Sequence, residues 1–286
     1  MPAVCQTPAP GARATTDATP IRQRLLPPQG VIEPKPFSPL PLQEDAALLQ
    51  RLKAVMGPAS DSTSFVVKDL QTGRGASFNA QRAYDPASLF KLFVMYEVFH
   101  QESLGLVKGQ QQLVLTPYYE EFALGPRRTR LCQVLTVDEA MQAMMSMSDN
   151  AAAILLQDLV GSSNIDRAMT GLGLRSTEYL PEGLSTTAAD VALLLEGIGR
   201  RQLVSQSASE RMIYLMAQER FDNGLRAGVP AGTAVAHKTG NWQGVTHDAG
   251  IVFGPKGTYV IAVLSTRDNA PALIKAISET TFDYYK

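Results

Sequence analysis

The apolar residues Ala46, Leu48, Leu49, Leu52 and Val55 recur at helical spacing and predict an amphipathic helix over Gln43 to Val55. Gly57-Pro58 stops it. The period then shortens: Ser64 to Leu70 reads as a strand, Gln71-Thr72-Gly73 as a turn, and Gly75 to Asn79 as the returning strand. About a hundred residues of helical pattern follow. Thr136-Val137-Asp138-Glu139, Thr187-Ala188-Ala189-Asp190 and Ser207-Ala208-Ser209-Glu210 each set a hydroxyl three residues before a carboxylate, the signature of a helix start. Ala234 to Lys238, Thr246 to Phe253 and Thr258 to Thr266 return to strand character, and a last helix runs from Pro271 to about Phe282.

Neither the early strand pair nor the late triplet hides both its faces, so the two sets are expected to share one sheet. The fold class is α/β (α+β): an antiparallel sheet flanked by the terminal helices, with an all-helical unit inserted between its second and third strands. Residues 43–84 and 231–286 would form the sheet domain and residues 85–230 the insertion. A site is expected in the cleft between them. Residues 1–42 differ in kind, holding ten of the chain's 18 prolines. Proline lacks a backbone donor, so this stretch reads as an extended, flexible leader.

Composition narrows the function. Of the 286 residues 45% are hydrophobic and 19% charged, ordinary for a globular enzyme, and the net charge of -1 offers no field for nucleic acid. No apolar run is long enough to span a bilayer. His100, His237 and His247 lack metal-ligand spacing, and neither metal nor cofactor is implied. Cys5 in the leader and Cys132 in a folded segment are expected as two unpaired thiols. Val4 is too bulky for the usual lipid-attachment site, so no anchor is expected at Cys5.

Three short motifs carry the chemistry: Ser88-Leu89-Phe90-Lys91, Ser148-Asp149-Asn150 and Lys238-Thr239-Gly240, at intervals of about 60 and 90 residues. Each alone occurs by chance in many chains. Together they supply a serine at a helix start, a lysine one turn on to take its proton, and a strand edge whose amides face an oxyanion. No G-x-S-x-G elbow is present, and His247 and Asp248 are sequence neighbours ill suited to a Ser-His-Asp triad. His237 is read as structural or substrate-facing.

The set, in this order, resembles the penicillin-recognising serine enzymes and most of all the class A β-lactamases. The resemblance runs from about Ser64 to the C-terminus and implies the β-lactamase fold. It implies that Ser88 forms an acyl-enzyme, that Lys91 is its base and that Ser148 relays the proton to the leaving nitrogen. Asn150 would hold a substrate amide and Lys91, and the N–H groups of Ser88 and Asn241 would form the oxyanion hole. Lys238 and Thr239, followed by Gly240, would bind the substrate carboxylate. An arginine often stands near the place of His247 in these enzymes; here His247 or Arg267 would assist. The leader looks like the spacer after an export signal, and a periplasmic or secreted monomer is expected.

One departure matters. The E-x-x-L-N segment that activates the deacylating water in this family is absent, and Leu180 to Thr187 passes almost directly into the next helix. Glu178 and Glu182 are the nearby acids, and Glu182 is the candidate deacylation base. Losing a positioned base slows such a step by about 10²–10⁴-fold. The main reading is a β-lactam hydrolase. The alternatives are a D-Ala-D-Ala carboxypeptidase or other penicillin-binding enzyme acting on cell-wall peptides, and a non-catalytic β-lactam sensor.

Overall fold

The computed structural model describes Cys5 and residues 37–122, 129–180, 183–267 and 270–286. Along the chain run β1 (Gln43–Glu44), α1 (Ala46–Met56), β2 (Thr63–Asp69), β3 (Arg74–Phe78), α2 (Phe90–Ser103), β4 (Gln112–Val114), α3 (Pro117–Glu120) and β5 (Val134–Thr136). Then come α4 (Val137–Met147), α5 (Asn150–Val160), α6 (Ser162–Gly171), β6 (Glu178–Leu180), β7 (Gly183–Ser185), α7 (Ala188–Gly199) and α8 (Gln206–Met216). The chain closes with β8 (Ala234–Trp242), β9 (Val245–Gly254), β10 (Gly257–Ser265) and α9 (Pro271–Tyr285).

Strands from both ends of the chain do meet in one six-stranded sheet, ordered β1-β3-β2-β10-β9-β8. Its pairs are antiparallel except for the short parallel contact of β1 with β3. Alternation along the strands sends Phe65, Val67, Val252, Ile261 and Val263 to a core shared with α1 and α9. Val66, Ala236, Ile251, Val260 and Ala262 face the opposite way, into the larger core of the other helices. Helix α7 lies directly on this second face, against β2, β9 and β10.

Several local expectations shift. Thr136 forms a complete capping box with Glu139, and Thr187 accepts from the amide of Asp190. The third start lies two residues early: Ser205, not Ser207, accepts from Ala208 N, because α8 opens at Gln206. The segment between the outer strands also holds two small antiparallel ribbons, β4–β5 and β6–β7. The strand at the Lys238 motif continues to Trp242.

The leader up to residue 36, apart from Cys5, lies outside the described residues, and its end is pinned rather than flexible. Buried Lys68 and Glu196 form an ion pair whose remaining valences need partners. They find them in the Leu40 backbone: its C=O accepts from Lys68 Nζ and its N–H donates to Glu196 Oε1 at 2.7 Å. The expectation of unpaired thiols is overturned too. Cys5 and Cys132 form a disulfide with Cα atoms 5.1 Å apart, a proximity that their 127-residue separation conceals.

Candidate active site

Ser88 sits in a single 3-10 turn, Ala87–Leu89, that leads into α2. The nucleophile candidate thus lies just before the helix rather than in its first turn. Ala87 ahead of it holds φ at +44°, and Ser148, at the end of α4, holds +55°. Both are left-handed positions that disfavour residues with a Cβ and persist only where surroundings enforce them. The Ser148 turn is enforced by Asp149, which caps α5 through Ala152 N at 3.0 Å and receives Thr129 N at 3.0 Å. The middle residue of Ser148-Asp149-Asn150 is therefore a structural clamp for the two polar residues beside it.

Lys91 lies one turn beyond Ser88 on α2, whose residues 91–101 are all buried. Its ammonium group is fully enclosed and touches four oxygens: Ser148 O at 2.6 Å, Asn150 Oδ1 at 2.6 Å, Ser148 Oγ at 2.9 Å and Ser88 Oγ at 3.0 Å. The two closest are pure acceptors and take two N–H groups. A neutral amine then has its lone pair left for a hydroxyl, either Ser88 directly or Ser148, whose Oγ lies 3.0 Å from Ser88 Oγ. Burial, and then the nearby Lys238 charge, pushes the Lys91 pKa well below that of an ordinary lysine, with Glu219 and Asp149 opposing. These surroundings disfavour the ammonium form of Lys91.

Strand β8 closes the site from the other side. Gly240 passes so near the Ser88 turn that a Cβ there would stand 3.2 Å from Pro86 O and 3.3 Å from Ala87 Cβ. This approach lets the edge of β8 face the serine. A cavity of about 330 Å³ opens there, lined by Ser88, Ser148, Asn150, Thr239, Gly240 and Asn241, with Trp242 and Phe221 at its walls.

Two expected carboxylate contacts are not arranged as predicted. Lys238 is fully enclosed and does not line the cavity; its Nζ is ion-paired with Glu219, itself buried. Glu219 follows α8, and no motif in the sequence marks it. His247 does line the cavity, but both ring nitrogens are engaged: Nε2 donates to Asp85 O at 2.8 Å and Nδ1 accepts from Ser265 N at 3.2 Å. That pattern fixes a neutral ring, and burial lowers its pKa further, so His247 cannot act as the cation for a substrate carboxylate. Arg267 is exposed at the end of β10 and lies outside the cavity lining.

His237, expected to be structural or substrate-facing, is a structural anchor. Its Nδ1 meets Asp248 Oδ1 at 2.8 Å, and Asp248 Oδ2 accepts from Leu225 N at 2.8 Å. Burial disfavours the imidazolium, yet Asp248 and the nearby Asp222 outweigh it and hold the His237 pKa up at about 9. This pair ties β8 and β9 to the 221–225 segment that walls the cavity. Glu178 is exposed on the β6–β7 ribbon, and Glu182 lies outside the described residues.

Comparison with known proteins gives the family. The family model described as the beta-lactamase enzyme family matches residues 47–285. A beta-lactamase of Streptomyces fradiae is 28% identical over 219 residues, spanning 70% of this chain and 72% of that protein. Among solved structures, PBP-A superposes with a TM-score of 0.79 at 22% identity, covering 87% of this chain and 99% of that one. An ancestral class A beta-lactamase does so with a TM-score of 0.72 at 21% identity, covering 83% and all of its own length (100%). With the match spanning most of the chain, the chain belongs to the beta-lactamase enzyme family.

Proposed function

We propose that the protein hydrolyses β-lactams through a covalent acyl-enzyme on Ser88. The observation that carries this reading is the enclosed contact shell of Lys91, which among the described residues holds no carboxylate and has Ser88 Oγ 3.0 Å away. Lys91 Nζ takes the proton of Ser88 Oγ as that oxygen attacks the lactam carbonyl carbon. The tetrahedral oxyanion is received by the N–H groups of Ser88 and Asn241, and as the C–N bond breaks Ser148 Oγ passes the proton to the leaving nitrogen. Asn150 and Thr239 hold the substrate from opposite sides of the cavity. A monomer would carry every group in this scheme.

Water then hydrolyses the ester. The described cavity lining contains one carboxylate, Asp248, already bound to His237 and Leu225 N. Release is accordingly slower than acylation, with Lys91 or Glu182 as its base. The tightness of the β6–β7 ribbon, in which Leu180 pairs with Gly183, favours a second reading: an enzyme for cell-wall peptides that β-lactams trap. The Cys5–Cys132 disulfide supports a location outside the reducing cytosol, periplasmic or secreted.

A chromogenic cephalosporin followed by absorbance and intact mass tests the proposal. A burst with an adduct on Ser88 followed by continued turnover is expected. A permanent adduct, with D-Ala released from a peptide substrate, would establish the second reading instead. Absence of any adduct would remove serine acylation altogether.

A further inference from the structure

The turn that carries Ser88 is strained, since Ala87 holds the left-handed region at φ +44°. Its neighbours show how that strain is sustained. Tyr84 is fixed by backbone bonds in both directions with Thr186, and its hydroxyl meets Ser64 Oγ at 2.8 Å. Asp85 then serves the turn with two groups. Its carboxylate accepts from Ala87 N at 2.7 Å, and its carbonyl accepts from His247 Nε2 at 2.8 Å. Pro86 follows with φ set by its ring at -67°, so holding the Asp85 carbonyl fixes the direction in which the chain enters the turn.

His247 reaches Asp85 because of its place in the sheet. It pairs with Gly240 on β8 and with Leu264 on β10. Cross-strand partners share a face, and Gly240 leaves that face open beside the Ser88 turn. The other side of the ring is held as well. Nδ1 accepts from Ser265 N at 3.2 Å, and Tyr84 stands edge-on with ring centroids 5.6 Å apart. An amide N–H can only donate and a carbonyl can only accept, so these partners define which ring nitrogen carries the hydrogen. Buried and engaged at both nitrogens, His247 is a rigid link from the sheet to the chain just before Ser88.

We infer that His247 is a positioning residue for the nucleophile: through the Asp85 carbonyl it holds the left-handed turn at Ala87, and so sets Ser88 Oγ at 3.0 Å from both Lys91 Nζ and Ser148 Oγ. This role rests on acylation of Ser88 and needs no contact with the substrate. Without the link, Ala87 is free to relax out of the left-handed region and carry Ser88 away from its base. A misplacement of about 1 Å costs such a reaction on the order of 10²-fold.

The test measures Ser88 acylation by a chromogenic cephalosporin in single-turnover mass spectrometry, over a range of cephalosporin concentrations. His247→Asn keeps an acceptor for Ser265 N but is too short to donate to Asp85 O, and its limiting acylation rate should fall by about 10²-fold. His247→Gln places an amide N–H near the position of Nε2 and should stay at least about tenfold faster than His247→Asn. The half-saturating concentration should move by less than about threefold in both, because the loss lies in placing Ser88 rather than in binding substrate. Adding Ala87→Gly to His247→Asn should recover about five- to tenfold, since glycine adopts the left-handed turn at little cost. Equal rates for the Asn and Gln variants, a loss confined to half-saturation, or no recovery with Ala87→Gly would overturn the inference. Absence of an adduct on the wild-type protein would instead remove the acyl-enzyme reading on which this role stands.

Discussion

Lys91 and Lys238 are both fully enclosed, both on the route around Ser88, and differ in what they touch. Lys91 is surrounded by neutral oxygens of Ser88, Ser148 and Asn150; Lys238 is paired with the Glu219 carboxylate. Lys68, elsewhere in the fold, follows the second pattern with Glu196. Burying an ammonium is costly, and a carboxylate partner keeps it charged, whereas neutral partners let it lose its proton. The carboxylate-paired lysines are therefore suited to holding elements together, and the lysine without such a partner is suited to moving a proton. The two are linked, since the Lys238 charge lowers the pKa of Lys91.

The strongest way to break this contrast is Lys91→Met, which should slow acylation by about 10²–10⁴-fold in a protein that still folds, as read by adduct formation in quenched-flow mass spectrometry. In the wild type the same rate should fall as pH drops through the depressed pKa of Lys91, because protonation there removes the base. A rate that stays flat over the whole acid range in which the protein remains folded would count against Lys91 as the base.

Lys238→Met should act on stability first. It strands Glu219 and should cost about 3–5 kcal/mol in urea denaturation, most of which the added Glu219→Leu change restores. If Lys238→Met melts like the wild type, the pairing has been misjudged. His237 probes the same charged side of the site through pH. Its folded pKa of about 9 lies above the ordinary 6.5, so its stabilisation is full below 6.5 and is lost as pH rises through 9. The difference between wild type and His237→Gln should shrink by roughly 3 kcal/mol between pH 6 and pH 10. The smallest effect is expected from Asp149→Asn, which disturbs the contacts to Thr129 and should lower stability by about 1 kcal/mol, measurable by thermal melting. A larger loss of acylation than of stability would show how tightly this clamp sets Ser148 and Asn150.

The legibility of these two lysines in the sequence differs for a physical reason. Lys91 lies three residues from Ser88, and a helix turns that spacing into shared position, so their contact could be read directly. The partner of Lys238 lies 19 residues upstream, just after α8, where no periodicity connects them. His247 shows the converse: its position in the cavity was anticipated, but its charge was not, because Asp85 O and Ser265 N reach it from distant segments. Cys5 and Cys132 were misjudged on the same ground, since composition says nothing of which loops meet.

By itself the sequence determined the order of the main helices and strands, the sharing of one sheet by both chain ends, and the three motifs on which the proposed serine acylation site rests. These are properties of local period and short spacing, which backbone geometry converts into structure without further information. The tertiary structure alone decided which lysine is neutralised by a carboxylate, which histidine is cationic, and that the leader is tied to the body through Cys5 and Leu40. Those outcomes depend on burial and on partners brought together across long separations. Charge state follows the surroundings of a side chain, and for Lys238, His237 and His247 the surroundings exist only once the chain has folded.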